Sequence, residues 1–283
     1  FIQVLKHSNC IVFSFQANVY CAILKKFLNF KLVVRSNSSP SGWSHNNFKT
    51  SIFKFFLKNV NCIIVNSKEF RKEFRKKLNL NAKMIYNPLN KEEIISKGKS
   101  KIKFSFYEEN KYLKIVNVAR FTDQKDHITL LKSFKLVTKK IKSKLLIIGY
   151  GPNENIIKQF IKINNLERKV KILKFQENPY KFIKNSDLLV LSSKYEGLPN
   201  VLLEALCLKV FVISSNCPTG PKEILDNGKY GFLFKVANYK HLTDRILYFN
   251  KNKKKSKKMI ELGYKSLKRF DYNLNCEKYL KIL

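Results

Sequence analysis

The sequence predicts an α/β chain in which two domains are each built on a parallel sheet, and three observations carry that prediction. Short apolar runs such as CIIV, LKIVNV, KLLII, DLLVL and VFVIS alternate with stretches of helical periodicity. Most of these runs end in polar or glycine-containing loops, as the carboxyl ends of buried parallel strands do. Finally, residues 91–111, KEEIISKGKSKIKFSFYEENK, are charged and irregular in period, and they divide the chain into 1–90, a linker, and 112–283.

At 283 residues the chain has room for one large or two medium domains. Its formal charge of +36 points to nucleic acid, to anionic lipid, or to a composition biased toward Lys, Asn, Ile and Phe. Lysines are scattered along nearly every expected helix, and only KNKKKSKK at 251–258 is dense, a pattern that fits solvated helix faces better than a nucleic-acid stripe. No nucleic-acid partner is expected, because no aromatic-interleaved basic module occurs. No run of 18 apolar residues and no leader pattern are found. The chain opens at Phe1 on what reads as domain interior, so an N-terminally shortened fragment is the expectation. The six cysteines lack CxxC pairs and zinc-ligand spacing with His, and they read as free thiols in a reducing, cytoplasmic setting.

In the first domain, 11–15 reads as a strand, 17–30 as a helix with Phe27 on its apolar face, and 31–35 as a strand running into the loop RSNSSPSGWSHN. That loop is either a ligand-facing strand end or an ordinary turn cluster. Residues 48–60, FKTSIFKFFLKNV, combine bulky aromatics with Lys49, Lys54 and Lys58. They suit a membrane-surface helix, hence peripheral association at the inner face of a membrane, or a domain helix with one face in the core. A strand at 61–67 follows, then a helix at 68–78 capped by Asn66-Ser67, and a strand and turn in AKMIYNPLN.

The second domain begins at Tyr112 with the strand LKIVNVARF, and DQKD leads into a helix at 127–140. KLLIIGYGP is a strand ending in Gly149 and Gly151, where the missing side chains permit a tight turn. A helix at 154–163, the strand VKIL, a small helix after Pro179 and the strand DLLVLSS come next. Two more strands, KVFVIS and GFLFKV, flank the loop PTGPKEILDNG before two lysine-rich helices end the chain.

Between DLLVLSS and KVFVIS lies SSKYEGLPNVLLEAL, which reads as strand end, glycine turn and helix with Pro199 in the first helical turn. Free amides at such a helix start attract phosphate. Glu196 before the turn and Glu204 on the first helical turns can accept hydrogen bonds from sugar hydroxyls, so a ligand carrying both groups would be a nucleotide sugar. A purely structural pair of glutamates is the alternative. Four loops at strand ends converge: 119–125, 149–152, 195–199 and 218–223. They bring Arg120 and Lys125 as cations and Glu196, with Glu204 and Glu223, as carboxylates.

In order, NVARFTDQKDHITLLKSF, LLIIGYGP, YEGLPNVLLEAL and PTGPKEILDNGKYGFLF resemble the donor-binding half of glycosyltransferase family 4, retaining enzymes with the GT-B architecture. RSNSSPSGW and MIYNPLN resemble the later part of that family's acceptor domain, here with its first part missing. The resemblance implies two Rossmann-like domains, the N-terminal one incomplete. It also implies transfer of a sugar, most readily UDP-linked hexose or N-acetylhexosamine, to a glycan or lipid-linked acceptor in surface polysaccharide or glycoconjugate synthesis. Arg120 and Lys125 match the basic pair that grips the donor diphosphate, Glu196 the glutamate facing the donor sugar, and Glu204 the one that binds the ribose. Gly149 belongs to the donor-side turn, the amides of Gly197 and Leu198 would meet the sugar and distal phosphate, and Asn200 and Tyr195 stand beside them. No metal and no other cofactor is implied. Base choice would rest on backbone contacts around 175–180. Two departures stand out: no His follows the strand ending Arg35-Ser36-Asn37, His45 being ten residues on, and the family's early glycine-rich loop is absent. The departures leave a non-catalytic nucleotide-binding remnant as the second reading. A basic nucleic-acid-binding protein is the third.

Overall fold

Buried parallel strands must be apolar on both faces, and the runs picked out above form two such sheets in the computed structural model, which describes residues 10–36, 47–102, 104–107 and 111–282. The chain divides into unit 1, Phe1–Pro88 with Phe270–Leu283, and unit 2, Leu89–Arg269.

Unit 1 carries β1 (Ile11–Ser14), α1 (Asn18–Leu24), β2 (Lys31–Ser36), α2 (Asn47–Leu57), β3 (Cys62–Val65), α3 (Lys68–Glu73) and β4 (Lys83–Met84). The strands are parallel in the order β1-β2-β3-β4. Right-handed crossovers that always step the same way place α1, α2 and α3 on one face. There Ala22, Leu57, Phe70 and Phe74 pack on Leu32, Val34, Ile63 and Val65. On the opposite face, Val33, Ile64 and Ile85 are covered by Tyr279 and Ile282 from the chain's end, Tyr279 lying in a helix at Tyr272–Leu280. Ser67 caps α3 as expected, its hydroxyl accepting from the Phe70 amide at 3.1 Å.

Unit 2 opens on α4 (Lys91–Gly98) and continues with β5 (Leu113–Val118), α5 (His127–Val137), β6 (Ser143–Ile148), α6 (Glu154–Ile163), β7 (Val170–Leu173), α7 (Tyr180–Lys184) and β8 (Leu188–Leu191). After these come α8 (Asn200–Cys207), β9 (Phe211–Ser215), α9 (Pro221–Ile224), β10 (Phe232–Phe234), α10 (Tyr239–Lys251) and α11 (Lys253–Ser266). The helix at Tyr272–Leu280 in unit 1 is α12. All six strands are parallel in the order β10-β9-β8-β5-β6-β7. This is the Rossmann arrangement, whose strand order reverses between β5 and β8, and a crevice opens at the carboxyl ends there. Buried Phe121, Leu130, Phe134, Leu145, Val190 and Phe211 are among the side chains that fill its core.

Several boundaries differ from the sequence reading. The expected linker is partly helical: α4 has Asn90 as its cap, with the side chain accepting from the Glu93 amide at 3.1 Å, and buries Ile94, so unit 2 starts at Leu89 rather than Tyr112. The expected helix 17–30 stops at Leu24, since turns follow and leave Phe27 exposed. The helix at 68–78 is α-helical only to Glu73 and finishes as a π-helical turn, Phe74–Leu78. Three helices, not two, end the chain. Residues 37–46, with most of the hydroxyl-rich loop and His45, lie outside the described residues. No helix among the described residues is long and apolar enough to cross a membrane.

Candidate functional site

The loops after β5 and β8 flank the point where strand order reverses, and each is fixed to its neighbours by contacts the sequence does not announce. Gln124 spans them: its backbone carbonyl accepts from the Lys194 amide at 2.7 Å, and its side-chain amide donates to the Tyr195 carbonyl at 2.8 Å. The Ser192 hydroxyl donates to the Lys125 carbonyl at 2.8 Å. Lys125 is thereby held over Glu196, with Nζ 2.6 Å from Oε1, and the two side chains are only 19% and 7% exposed. A second donor, the Ser193 hydroxyl, reaches the same carboxylate oxygen at 2.6 Å. Thr219 binds the Glu196 carbonyl from the loop after β9, and Ser215 binds the Ser193 carbonyl. Glu196 therefore has both its carboxylate and its backbone fastened.

Glycines bring the remaining loops close. A Cβ on Gly149 would lie 2.0 Å from the Ala119 carbonyl oxygen, so only glycine lets the loop after β6 approach the loop after β5. A Cβ on Gly220, where φ is +54°, would meet the Gly197 carbonyl oxygen at 1.9 Å. Asn153 ties the first pair further by donating to Asp123 at 2.7 Å. A cavity of ≈ 320 Å³ opens here, lined by Arg120, Asp123, Lys125, Asn153 and Tyr195 among others. Arg120 is exposed on it. All four predicted loops are thus contiguous.

Leu198 is buried, which leaves its backbone rather than its side chain to meet a ligand, and Asn200 is exposed at the first residue of α8. Pro199 has ψ of 106°, so it precedes the helix instead of opening its first turn. No side chain caps α8. Glu204 projects from α8, and no hydrogen bond or ion pair reaches its carboxylate among the described residues. Burial pushes this carboxyl up to about 7. Burial, and then the Glu204 charge, push the nearby Tyr180 phenol up to about 12. Glu223, the third predicted carboxylate, sits half-buried on α9, and Arg269 donates to its carbonyl.

Burial at Glu204 has a measurable consequence for stability. Between about pH 4.5 and 7 the folded protein holds a proton there that the unfolded chain has released. The stability this contributes is fully present below the unfolded value and is lost as pH rises through about 7. Above that, keeping the ionised group buried costs roughly 3 kcal/mol. Glu204→Gln is expected to be about 2 kcal/mol more stable than the parent at pH 8 and nearly equal at pH 5. Urea unfolding at the two pH values decides it, and the same difference at both would exclude the carboxylate as its source.

Sequence reasoning missed the hydroxyls of Ser192, Ser193, Ser215 and Thr219, although the serine-rich strand ends were visible. It also missed His127, 3% exposed with neither ring nitrogen hydrogen-bonded, whose pKa burial and then Lys125 lower to about 4. Neutral at pH 7, this imidazole adds no second charge beside Lys125. Tyr150 and Phe175, both more than half exposed, meet edge to face at 6.2 Å beyond β6 and β7. The described residues contain no group of three metal-ligating side chains.

Residues 98–266 match the family model described as glycosyl transferases group 1. An uncharacterized glycosyltransferase of Methanocaldococcus jannaschii is 36% identical over 208 residues, which is 65% of this chain and 50% of the relative. The N-acetylgalactosamine-N,N'-diacetylbacillosaminyl-diphospho-undecaprenol 4-alpha-N-acetylgalactosaminyltransferase of Campylobacter jejuni is 28% identical over 77% of this chain and 60% of its own. The chain thus spans about half to three-fifths of these relatives' length. Among solved structures, Anabaena HepE in complex with UDP and glucose superposes with a TM-score of 0.83, covering 96% of this chain and 77% of HepE at 18% identity. Staphylococcus aureus TarM, in a complex that includes UDP, reaches 0.74 over 90% of this chain and 51% of its own at 22% identity. These likenesses establish the two-unit GT-B fold.

Proposed function

Since the chain belongs to the glycosyl transferases group 1 family, we propose that it transfers a sugar, with retention at the anomeric carbon, from a nucleotide-sugar donor to a glycan or lipid-linked saccharide acceptor. The observation that carries this reading is the Lys125–Glu196 pair at the strand-order reversal, with exposed Arg120 on the adjoining cavity. A cation beside a carboxylate in one crevice suits a ligand that is anionic at one end and hydroxylated at the other. In the reaction the bond from anomeric carbon to diphosphate oxygen breaks, a bond to the acceptor oxygen forms, and the acceptor's hydroxyl proton passes to the departing diphosphate. Negative charge builds on the departing nucleoside diphosphate while the sugar becomes oxocarbenium-like. Arg120 and Lys125 are positioned to stabilise the former, Glu196 to face the latter, and both act with little reorganisation because hydroxyls and glycine contacts hold the loops. Glu204 receives the ribose hydroxyls, which supply the donors its carboxylate lacks. The Gly197 and Leu198 amides face the sugar and distal phosphate.

A UDP-linked donor is favoured because structural neighbours are described with UDP, and a lipid-linked acceptor because the Campylobacter relative is named for a diphospho-undecaprenol substrate. Such an acceptor would place the enzyme at the cytoplasmic face of a membrane, a reducing setting that suits six free thiols. We propose further that the two cations take the role a metal has in other transferases, so that none is required. Calorimetric titration with UDP, UDP-sugars and GDP-sugars in the presence of EDTA tests these points together. Selective UDP-sugar binding is expected. Binding that appears only after magnesium is added would remove the metal-free part, no binding by folded protein would overturn the donor site, and binding without transfer to any acceptor would leave the remnant reading.

A further inference from the structure

The outer surface of the α1–α2 layer in unit 1 combines exposed aromatics with cations in a way no core requires. Phe27 is 78% exposed, Tyr20 75% and Phe55 57%. Tyr20 stands two residues from buried Ala22 on α1, and Phe55 two residues from buried Leu57 on α2, so each is turned about 200° away from the core. Ile52, three residues before Phe55, continues its stripe and is also exposed. Lys26, in the turn after α1, reaches α2, its Nζ lying 3.8 Å from the centre of the Phe55 ring and 5.0 Å from that of Phe56. Lys54 and Lys58 flank the same stripe without an ion pair among the described residues.

Charge sign is uniform across this region. No Asp or Glu occurs in the sequence before Glu69. The neighbouring helix α3 bears Glu69 and Glu73, yet beside it lies a cavity of ≈ 380 Å³ lined by Arg71, Lys72 and Arg75 with Leu80, Asn81 and Ala82. Exposed aromatics set among cations suit insertion at a lipid headgroup boundary. Each lysine near an anionic leaflet adds to the attraction.

We propose that this surface docks unit 1 on an anionic lipid bilayer, with Phe27 and Phe55 entering the interface and Lys26, Lys54 and Lys58 facing the headgroups. The surface shares no residue with the donor loops, which belong to unit 2, so its failure and theirs are separable.

The test is co-sedimentation of the whole chain with vesicles of equal parts phosphatidylglycerol and phosphatidylcholine, against vesicles of phosphatidylcholine alone. Expected are binding to the anionic vesicles that weakens with salt, and a partition coefficient lowered about tenfold by Phe27→Ser with Phe55→Ser. Ile163→Ser, at a residue 78% exposed in unit 2, should bind as the parent does. A circular dichroism spectrum and a urea unfolding curve of the double variant that match the parent's show that unit 1 is still folded. The proposal is overturned by equal binding to both vesicle types, by no binding at low salt, by parent-like binding of the double variant, or by an equal loss in Ile163→Ser. Gel filtration showing a parent dimer that the double variant abolishes would assign the surface to self-association instead.

Discussion

Lys125→Met is expected to lower kcat for sugar transfer about 10²- to 10³-fold, or about 3–4 kcal/mol of transition-state stabilisation, with a smaller change in KM for the donor. The lysine is 2.6 Å from a carboxylate that is itself nearly enclosed, so its loss acts in two ways. In the proposed reaction it removes a cation that would meet the developing diphosphate charge, and among the described residues it leaves Glu196 with Ser193 as its remaining side-chain donor. The second effect also destabilises the fold, since breaking a buried pair costs about 3–5 kcal/mol before the carboxyl relaxes by taking a proton. Lys125→Met with Glu196→Gln separates the two. The double variant should regain much of the lost stability, which assigns the destabilisation to the unpaired Glu196 carboxylate; a double variant as unstable as Lys125→Met would exclude that cause.

Glu204→Ala is expected to weaken UDP binding about 100-fold. Two hydrogen bonds from ribose hydroxyls to an ionised acceptor contribute about 1.5 kcal/mol or more each, and tenfold in affinity corresponds to about 1.4 kcal/mol. Desolvation already holds this carboxyl near 7 with no partner. Hydroxyl donors favour its charged form, so UDP affinity in the parent should rise with pH up to about 7 and then level off. The variant should lose that dependence as well as the affinity. A pH profile that survives the substitution would assign the titration to another group, the diphosphate included.

How much of the fold was legible in the sequence depended on whether the deciding contacts were local. Strands of unit 2 could be read because a strand buried on both faces is an unbroken apolar run, as in LLII and LLVL. The helix α4 could not, since its eight residues bury only Ile94 and Gly98; its signal was the Asn90 cap with Glu92 and Glu93 in the first turn. The resemblance singled out Lys125 and Glu196 separately, but their contact joins positions 71 apart and depends on the strand order that seats β5 beside β8. Likewise nothing local singles out Ser193 and Thr219, which only folding sets against Glu196. The division of the chain failed for the same reason: nothing in a lysine-rich tail says that its last helix belongs with residues made some two hundred positions earlier.

That return of α12 to unit 1 has a consequence for the order of biosynthesis. The strands of unit 1 leave the ribosome before any of unit 2, whereas Tyr279 and Ile282, which cover Val33, Ile64 and Ile85, come after all of it. At about 5–20 residues per second, the interval is on the order of ten to forty seconds. Until then Val33, Ile64 and Ile85 lack the cover that Tyr279 and Ile282 give them, so unit 1 completes its packing only after unit 2 has been made. A chaperone that shields exposed hydrophobic surface would find its target there, and a stop codon anywhere in the tail would make the exposure permanent.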